Sequence, residues 1–319
     1  MAIVEEVQQR IASLIGEMRK VIVGQDEVLE YLFVALLVEG HVLIEGVPGT
    51  AKTLMVRTLS RALGLEFNRI QFTPDLMPSD IIGTNVFDMQ RGEFRLVKGP
   101  VFTELLLADE INRAPAKTQS ALLEVMAENK ATIDGTPYPV GQFFTVFATQ
   151  NPVEYEGTYP LPEAVLDRFL LKIMVDYPDG EEEDKILLNA NKGFDARELG
   201  KAGVSAIMTR DEMIGLKTRV RELLVDEPLI RYIRQIMQAT RSSPQILVGG
   251  SPRSSVMLLL ASKALATISG RDFVTPDDIK RMAYPVLRHR LVLQPDAELE
   301  GLSADQVIAR VLEGVKVPR

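Results

Sequence analysis

Apolar residues recur three and four positions apart along residues 3–18, where Ile3, Val4, Val7, Ile11, Leu14, Ile15 and Met18 share one face. That period predicts an amphipathic helix packed on the body or on a partner. A second helix is expected over residues 25–37. Then the period changes: "HVLIEG" is a short apolar run, and "LMVRTLSRAL" beyond it returns to helical spacing with Leu54, Leu59 and Leu63. Four more strand-like runs follow, "EFNRIQF", "ELLLAD", "FFTVFAT" and "FLLKIMV", most of them separated by helical stretches such as "KTQSALLEVMAEN". Runs apolar throughout, as "ELLLAD" and "FFTVFAT" are, suit strands buried on both faces. The alternation predicts an α/β fold with a mainly parallel, five-stranded sheet flanked by helices.

Two segments interrupt it. "TNVFDMQRGEFRLVKG" and "ATIDGTPYPV" read as hairpins turning at Arg91-Gly92 and Asp134-Gly135, dipeptides that tolerate positive φ. Near residue 176 the texture shifts. "DYPDGEEED" brings Pro, Gly and an acidic run, and beyond it the spacing predicts helices near 183–191, 209–223, 228–241, 253–268, 275–288 and 303–313. "VTPDDIKRM" is a helix start with Thr275 as N-cap, Pro276 in the first position and Asp277 and Asp278 in the first turn. "EEED" is expected to serve its own helix in the same way. The division predicted is an α/β nucleotide-binding domain over residues 1–176 and a helical domain over 177–319.

Composition narrows the classes. Charged residues make up 25% and hydrophobic residues 46% of the 319, enough for a sizeable core. There is no cysteine, and His41 and His289 are the only histidines, which excludes disulfides and Cys/His zinc sites. The net charge of −8 and the 6% aromatic content count against a protein that coats nucleic acid. The N-terminus lacks an apolar signal core, and the longest apolar run, "YLFVALLV", is far short of the roughly 18 residues of a membrane span. The expectation is a soluble, cytoplasmic protein with no membrane insertion. Arg288 and Arg290, near His289, read as a solvated helix end.

The chemistry sits in "EGVPGTAKTL". Gly46, Lys52 and Thr53 keep the register of a phosphate loop, G-x-x-x-x-G-K-[ST], with Ala51 in place of the second glycine. Such a loop points successive backbone N–H groups inward at the positive end of the next helix. Gly46 and Gly49 would supply the bends, Lys52 would reach the β/γ phosphates, and Thr53 would ligate Mg2+. Ala51 is tolerable there if its φ is negative and costly if the position is strained. "LLLADE" ends a buried strand with Asp109, suited to the Mg2+ shell, and Glu110, suited to polarise an attacking water. "FFTVFATQNP" would set Gln150 or Asn151 beside them; alone, Asn151 before Pro152 reads as a turn former.

Together GVPGTAKT, LLLADEINRAP, ATQNPVEYEGTYPLPEAVLDRF and GGSPRS resemble the MoxR family of AAA+ ATPases, in order and spacing, over nearly the whole chain. The resemblance implies a P-loop AAA+ body, an all-helical lid, and a loop of Gly46, Val47, Pro48, Gly49, Thr50, Ala51, Lys52, Thr53 and Leu54 holding ATP and Mg2+. It implies that Val23, Gly24 and Gln25 border the adenine, that Asn151 senses the γ-phosphate, that Arg168 is an arginine finger for a neighbouring subunit, and that Arg253 reaches from the lid to the phosphates. Arg113 is a further candidate for the subunit boundary. The hairpins resemble inserts that face the pore or the partner in related rings. The implied activity is ATP hydrolysis by a ring, a hexamer, that remodels or activates client proteins like a chaperone. Partners with von Willebrand factor A domains are common for such families, and no such domain lies in this chain, so the partner would be another polypeptide. The alternatives are a nucleic-acid-translocating motor, a chelatase-type motor subunit, and a scaffold that binds ATP without turnover.

Overall fold

The computed structural model describes residues 2–152, 158–195 and 198–318. Its centre is a parallel sheet of five strands: β1 (His41–Gly46), β2 (Phe67–Gln71), β3 (Leu105–Asp109), β4 (Thr145–Gln150) and β5 (Phe169–Val175), in the order β2-β3-β4-β1-β5. β3 and β4 are buried along almost their whole length, which is why both read as unbroken apolar runs. The helix Lys52–Leu63 follows β1, and Ala116–Glu128 precedes the second hairpin. The N-terminal helix Ala2–Met18 buries Val7, Ile11, Leu14, Ile15 and Met18 in the body; the side chains of Ile3 and Val4 lie outside those described.

Both hairpins form where expected, Gly83–Asp88 with Glu93–Lys98 and Lys130–Ile133 with Thr136–Pro139. Asn85 donates to Asp134 at 2.8 Å and ties them together. The first hairpin carries its apolar side chains outward: Phe87 and Phe94 stack edge to face at 5.2 Å, both exposed, and Met89 at the tip is 90% exposed.

Beyond β5 the chain is helical. Asp179 caps Gly180–Asn191 and Thr275 caps Pro276–Leu287, each in a reciprocal box with the acidic residue three positions on, Glu182 and Asp278. One continuous apolar core runs from Val7 through the sheet to Leu312, so the C-terminal helices pack on the body rather than beside it.

Their junction corrects one sequence reading. Arg288, His289 and Arg290 are not a solvated end; His289 and Arg290 are buried. β5 is an edge strand, paired only with β1, so its outer carbonyls need donors. The triplet supplies them. Arg288 donates to Lys172 O at 3.2 Å, His289 Nε2 faces Phe169 O at 3.0 Å, and Arg290 donates to Leu170 O at 3.2 Å and to Phe169 O. Asp167 balances Arg290 at 3.1 Å, and burial pushes that guanidinium down to about 10.

At the amino end of β1 His41 joins three elements. Its Nδ1 accepts from Val146 N–H at 3.1 Å, so the ring proton sits on Nε2 and is donated to Met126 O, also at 3.1 Å. Protonation would put a second proton against the Val146 N–H. Burial accordingly pushes the imidazole down to about 4. The unfolded chain binds a proton near pH 6.5 while the folded chain refuses it until about pH 4, so stability falls as pH drops through that window, by on the order of 3 kcal/mol. Denaturation midpoints measured from pH 7 to 4.5 are expected to decline less steeply in His41→Gln than in the unaltered chain. His289, also held low by burial, keeps part of the slope in both. Equal slopes would remove His41 as a source of acid sensitivity.

Candidate active site

β1 ends at Gly46, where a side chain would press to 2.5 Å from Val175 O; this glycine permits close approach to β5 rather than a bend. The bend falls at Gly49, with φ of 89°. Thr50 closes the turn by donating to Val47 O at 3.0 Å. Ala51 then adopts φ 60° and ψ 19°, the left-handed region, immediately before the helix Lys52–Leu63. The negative φ that would have made an alanine harmless is absent, and a left-handed non-glycine residue costs about 1–2 kcal/mol.

The loop opens on a cleft of about 370 Å³ bounded by Pro48 to Leu54, Asp109, Glu110, Thr149, Gln150 and Asn151. Lys52 Nζ bonds Gly46 O at 2.6 Å and Val47 O at 2.8 Å. Burial lowers its pKa, and the nearby Asp109 and Glu110 oppose that shift. Asp109 stands at the carboxyl end of β3, with Oδ2 3.4 Å from Thr53 Oγ1 and Oδ1 accepting from Thr149 Oγ1 at 2.5 Å.

Glu110 has φ 56° and ψ 50°. A continued strand would send its side chain to the face opposite Asp109. The left-handed turn breaks that alternation, and Thr149 Oγ1 fixes it by accepting the Glu110 N–H at 2.9 Å. The Glu110 carboxylate then receives Gln71 Nε2 at 2.8 Å and Arg113 Nη1 at 3.0 Å. Arg113 is thus engaged within its own chain.

A second cleft, of about 330 Å³, shares Gly49, Thr50, Ala51 and Leu54 with the first and continues between Val21, Ile22, Val23, Gln25, Pro178, Ile186, Asn189, Ala190 and Phe194. Its walls are largely apolar, suited to a planar base. Gln25, with φ 61°, donates to Asp176 O at 3.1 Å. Gly24 does not line this cleft. It packs on Glu182, whose carboxylate leaves no room for a side chain.

Two expected residues lie elsewhere. Arg168 immediately precedes β5, at the amino edge of the sheet, and its Nη1 donates to Leu123 O at 2.6 Å. Arg253, in the first turn of Pro252–Ile268, pairs at 3.6 Å with Asp167. The phosphate loop leaves the carboxyl edge, and a six-residue strand separates the edges by roughly 17–20 Å. In this chain the partner of Arg253 is Asp167, beside β5, and not the phosphate loop. The segment 153–157 of the motif following Asn151 lies outside the described residues.

The donor set suits a hard cation bound with phosphate. Thr53 and Asp109 offer oxygens within one cation's reach of each other, and Mg2+ takes few protein ligands beside phosphate and water. Among the described residues no three His, Cys, Asp or Glu cluster to hold a metal alone.

Sequence reading missed Thr149, Arg69 and Gln71. Arg69 and Gln71 alternate on β2, and the parallel register puts Gln71 beside Asp109. Polar residues two apart on an edge strand were the available signal.

Known proteins carry the same pattern. Residues 41–171 match the ATPase family associated with various cellular activities (AAA), and residues 238–311 match the AAA lid domain. The chain is 46% identical to Chaperone MoxR1 of Mycobacterium tuberculosis, over 96% of this chain and 81% of that one. It is 30% identical to Protein MoxR of Methylorubrum extorquens, over 95% and 93%. A crystal structure from Cytophaga hutchinsonii, described as a candidate ATPase, superposes with a TM-score of 0.90 at 42% identity, covering 99% of this chain and 97% of the other.

Ala51 supplies a test of the loop's conformation. Ala51→Gly relieves the left-handed strain at some cost in unfolded-chain entropy, so a net stabilisation of about 0.5–1 kcal/mol is expected. Thermal or urea denaturation reads it directly, and a destabilised variant would mean that residue 51 is not left-handed.

Proposed function

Because the chain belongs to the MoxR family of AAA+ ATPases, we propose that it forms a ring, a hexamer, in which Mg2+-dependent ATP hydrolysis remodels or activates a client protein. The observation that carries the reading is the meeting of Lys52, Thr53, Asp109, Glu110 and Asn151 around one cleft. In this reading the triphosphate lies along the loop amides, with the base in the adjoining apolar cleft. Lys52 exchanges the Gly46 and Val47 carbonyls for phosphate oxygens. Thr53 and Asp109 would hold Mg2+, whose charge would offset that of the phosphates. Glu110 polarises the attacking water and Asn151 orients it against the γ-phosphate.

Among the described residues that line this cleft Lys52 is the cation, while Arg69 and Arg113 are engaged by Asp109 and Glu110. Arg168 and Arg253 both stand at the far edge of the sheet, so each would serve a neighbouring copy. A ring of head-to-tail copies meets that need, since each carboxyl edge then faces an amino edge. Residues 177–319 would move against residues 1–176 on turnover, carrying the motion to the paired hairpins, whose exposed Phe87, Met89 and Phe94 suit contact with a polypeptide. A protein with a von Willebrand factor A domain is the first client to try. No helix among the described residues is long and apolar enough to cross a membrane, and cytoplasmic action is part of the proposal.

Two outcomes are expected. Glu110→Gln lowers ATP turnover on the order of 10²–10⁴-fold while nucleotide binding persists; unchanged turnover would remove the general-base role. Arg168→Ala is also inactive alone, and mixing it with Glu110→Gln chains restores turnover, because some sites then combine Glu110 from one copy with Arg168 from the next. Mixed assemblies that stay inactive would remove Arg168 from the neighbour's site.

A further inference from the structure

Arg69 has no task in that scheme, yet it holds the carboxylate at its centre. Its Nε and Nη2 both donate to Asp109 Oδ2, at 3.0 and 2.7 Å. Of the two carboxylate oxygens, Oδ2 is the one near Thr53. Oδ1 is committed to Thr149 on the other side. A cation seated between Thr53 and Asp109 therefore needs lone pairs that the guanidinium holds. The same Nη2 reaches Gln71 Oε1 at 2.6 Å, and Gln71 hands its own N–H to Glu110. One side chain thus touches both carboxylates of the site, Asp109 directly and Glu110 through an amide.

We propose that Arg69 is a positioning residue that acts as the resident counter-cation of Asp109, in competition with the divalent metal for Oδ2. Three features support it. The pair joins an exposed arginine to a largely buried aspartate, 47% against 13% exposed, so the carboxylate is fixed while the guanidinium can leave into water. β2 is the edge strand of the sheet, so nothing beyond it in the sheet holds Arg69 in place. The charges also compete: a guanidinium within 3 Å of Oδ2 repels a divalent cation approaching the same atom. Arg69 keeps Asp109 neutralised and aimed, and sets how much metal is needed to load the site.

The inference rests on the nucleotide reading above, and its test separates the two. The unaltered chain, Arg69→Met and Arg69→Lys are titrated with Mg2+ at a fixed concentration of a fluorescent, non-hydrolysable ATP analogue. Arg69→Met keeps the apolar stem and removes the charge; it is expected to lower the half-saturating Mg2+ concentration roughly twofold to fivefold, the range of a partly exposed ion pair. Arg69→Lys falls between the two. A packing role would shift the melting temperature and leave the Mg2+ midpoint in place. A midpoint unchanged or raised in Arg69→Met, with binding at saturating Mg2+ intact, overturns the counter-cation role alone. Failure of the unaltered chain to bind the analogue at any Mg2+ concentration overturns the nucleotide reading and this inference with it.

Discussion

A carboxylate at the end of a fully buried strand is the constraint around which this site is built. β3 offers Asp109 no solvated flank on its amino side, since Leu105 to Ala108 are completely buried. A charge there must be met by donors from neighbouring elements. Three elements provide them: Thr53 from the loop helix, Thr149 from β4 and Arg69 from β2. The sheet order makes this possible, because β3 lies between β2 and β4 and all strands end on the same edge. The carboxyl ends of parallel strands carry the loops where ligands bind in such sheets. Here the loop, the acid pair and Asn151 reach one cleft because the sheet is parallel, not because they are near in sequence.

The same geometry divides the charges between two edges. Lys52 belongs to the carboxyl edge; Arg168, Arg253 and Arg290 belong to the amino edge, gathered on Asp167 and on main-chain carbonyls of β5 and Leu123. The junction with the C-terminal helices thereby buries His289 and Arg290 beside an apolar core that it shares with the body. The phosphate loop and the acid pair thus stand at one end of the sheet and a group of engaged arginines at the other.

Much of this was legible in the sequence. The strands were readable because strands buried on both faces are written as apolar runs, and the hairpins because Arg91-Gly92 and Asp134-Gly135 mark their turns. The loop, Asp109, Glu110 and Asn151 were readable because each ends or directly follows a strand. What was not legible depends on register or on partners distant in sequence. Arg288, His289 and Arg290 look like a solvated end until an edge strand without a second neighbour is placed against them. Arg69 and Gln71 look like an exposed strand face until pairing sets Gln71 beside Asp109. Arg253 reads as a helix-start residue until the fold sets Asp167 beside it.

Backbone strain follows the same map. Six non-glycine residues have left-handed backbones among those described. Asn129 and Asp134 are types that tolerate it at little cost. Of the other four, Gln25, Ala51 and Glu110 border the two clefts, and the fourth, Glu39, is engaged by Lys217 and Arg221. Three strained residues at about 1–2 kcal/mol each are a large share of a stability of about 5–15 kcal/mol. Such conformations persist only where the surroundings over-determine them. Each of the three does local work. Gln25 turns the chain into its helix and reaches Asp176, Ala51 aims the first helical amides into the cleft, and Glu110 brings its carboxylate round to the side of Asp109. The sequence departs from local preference at the points where a straight strand or an ordinary helix entry would leave the cleft without its walls.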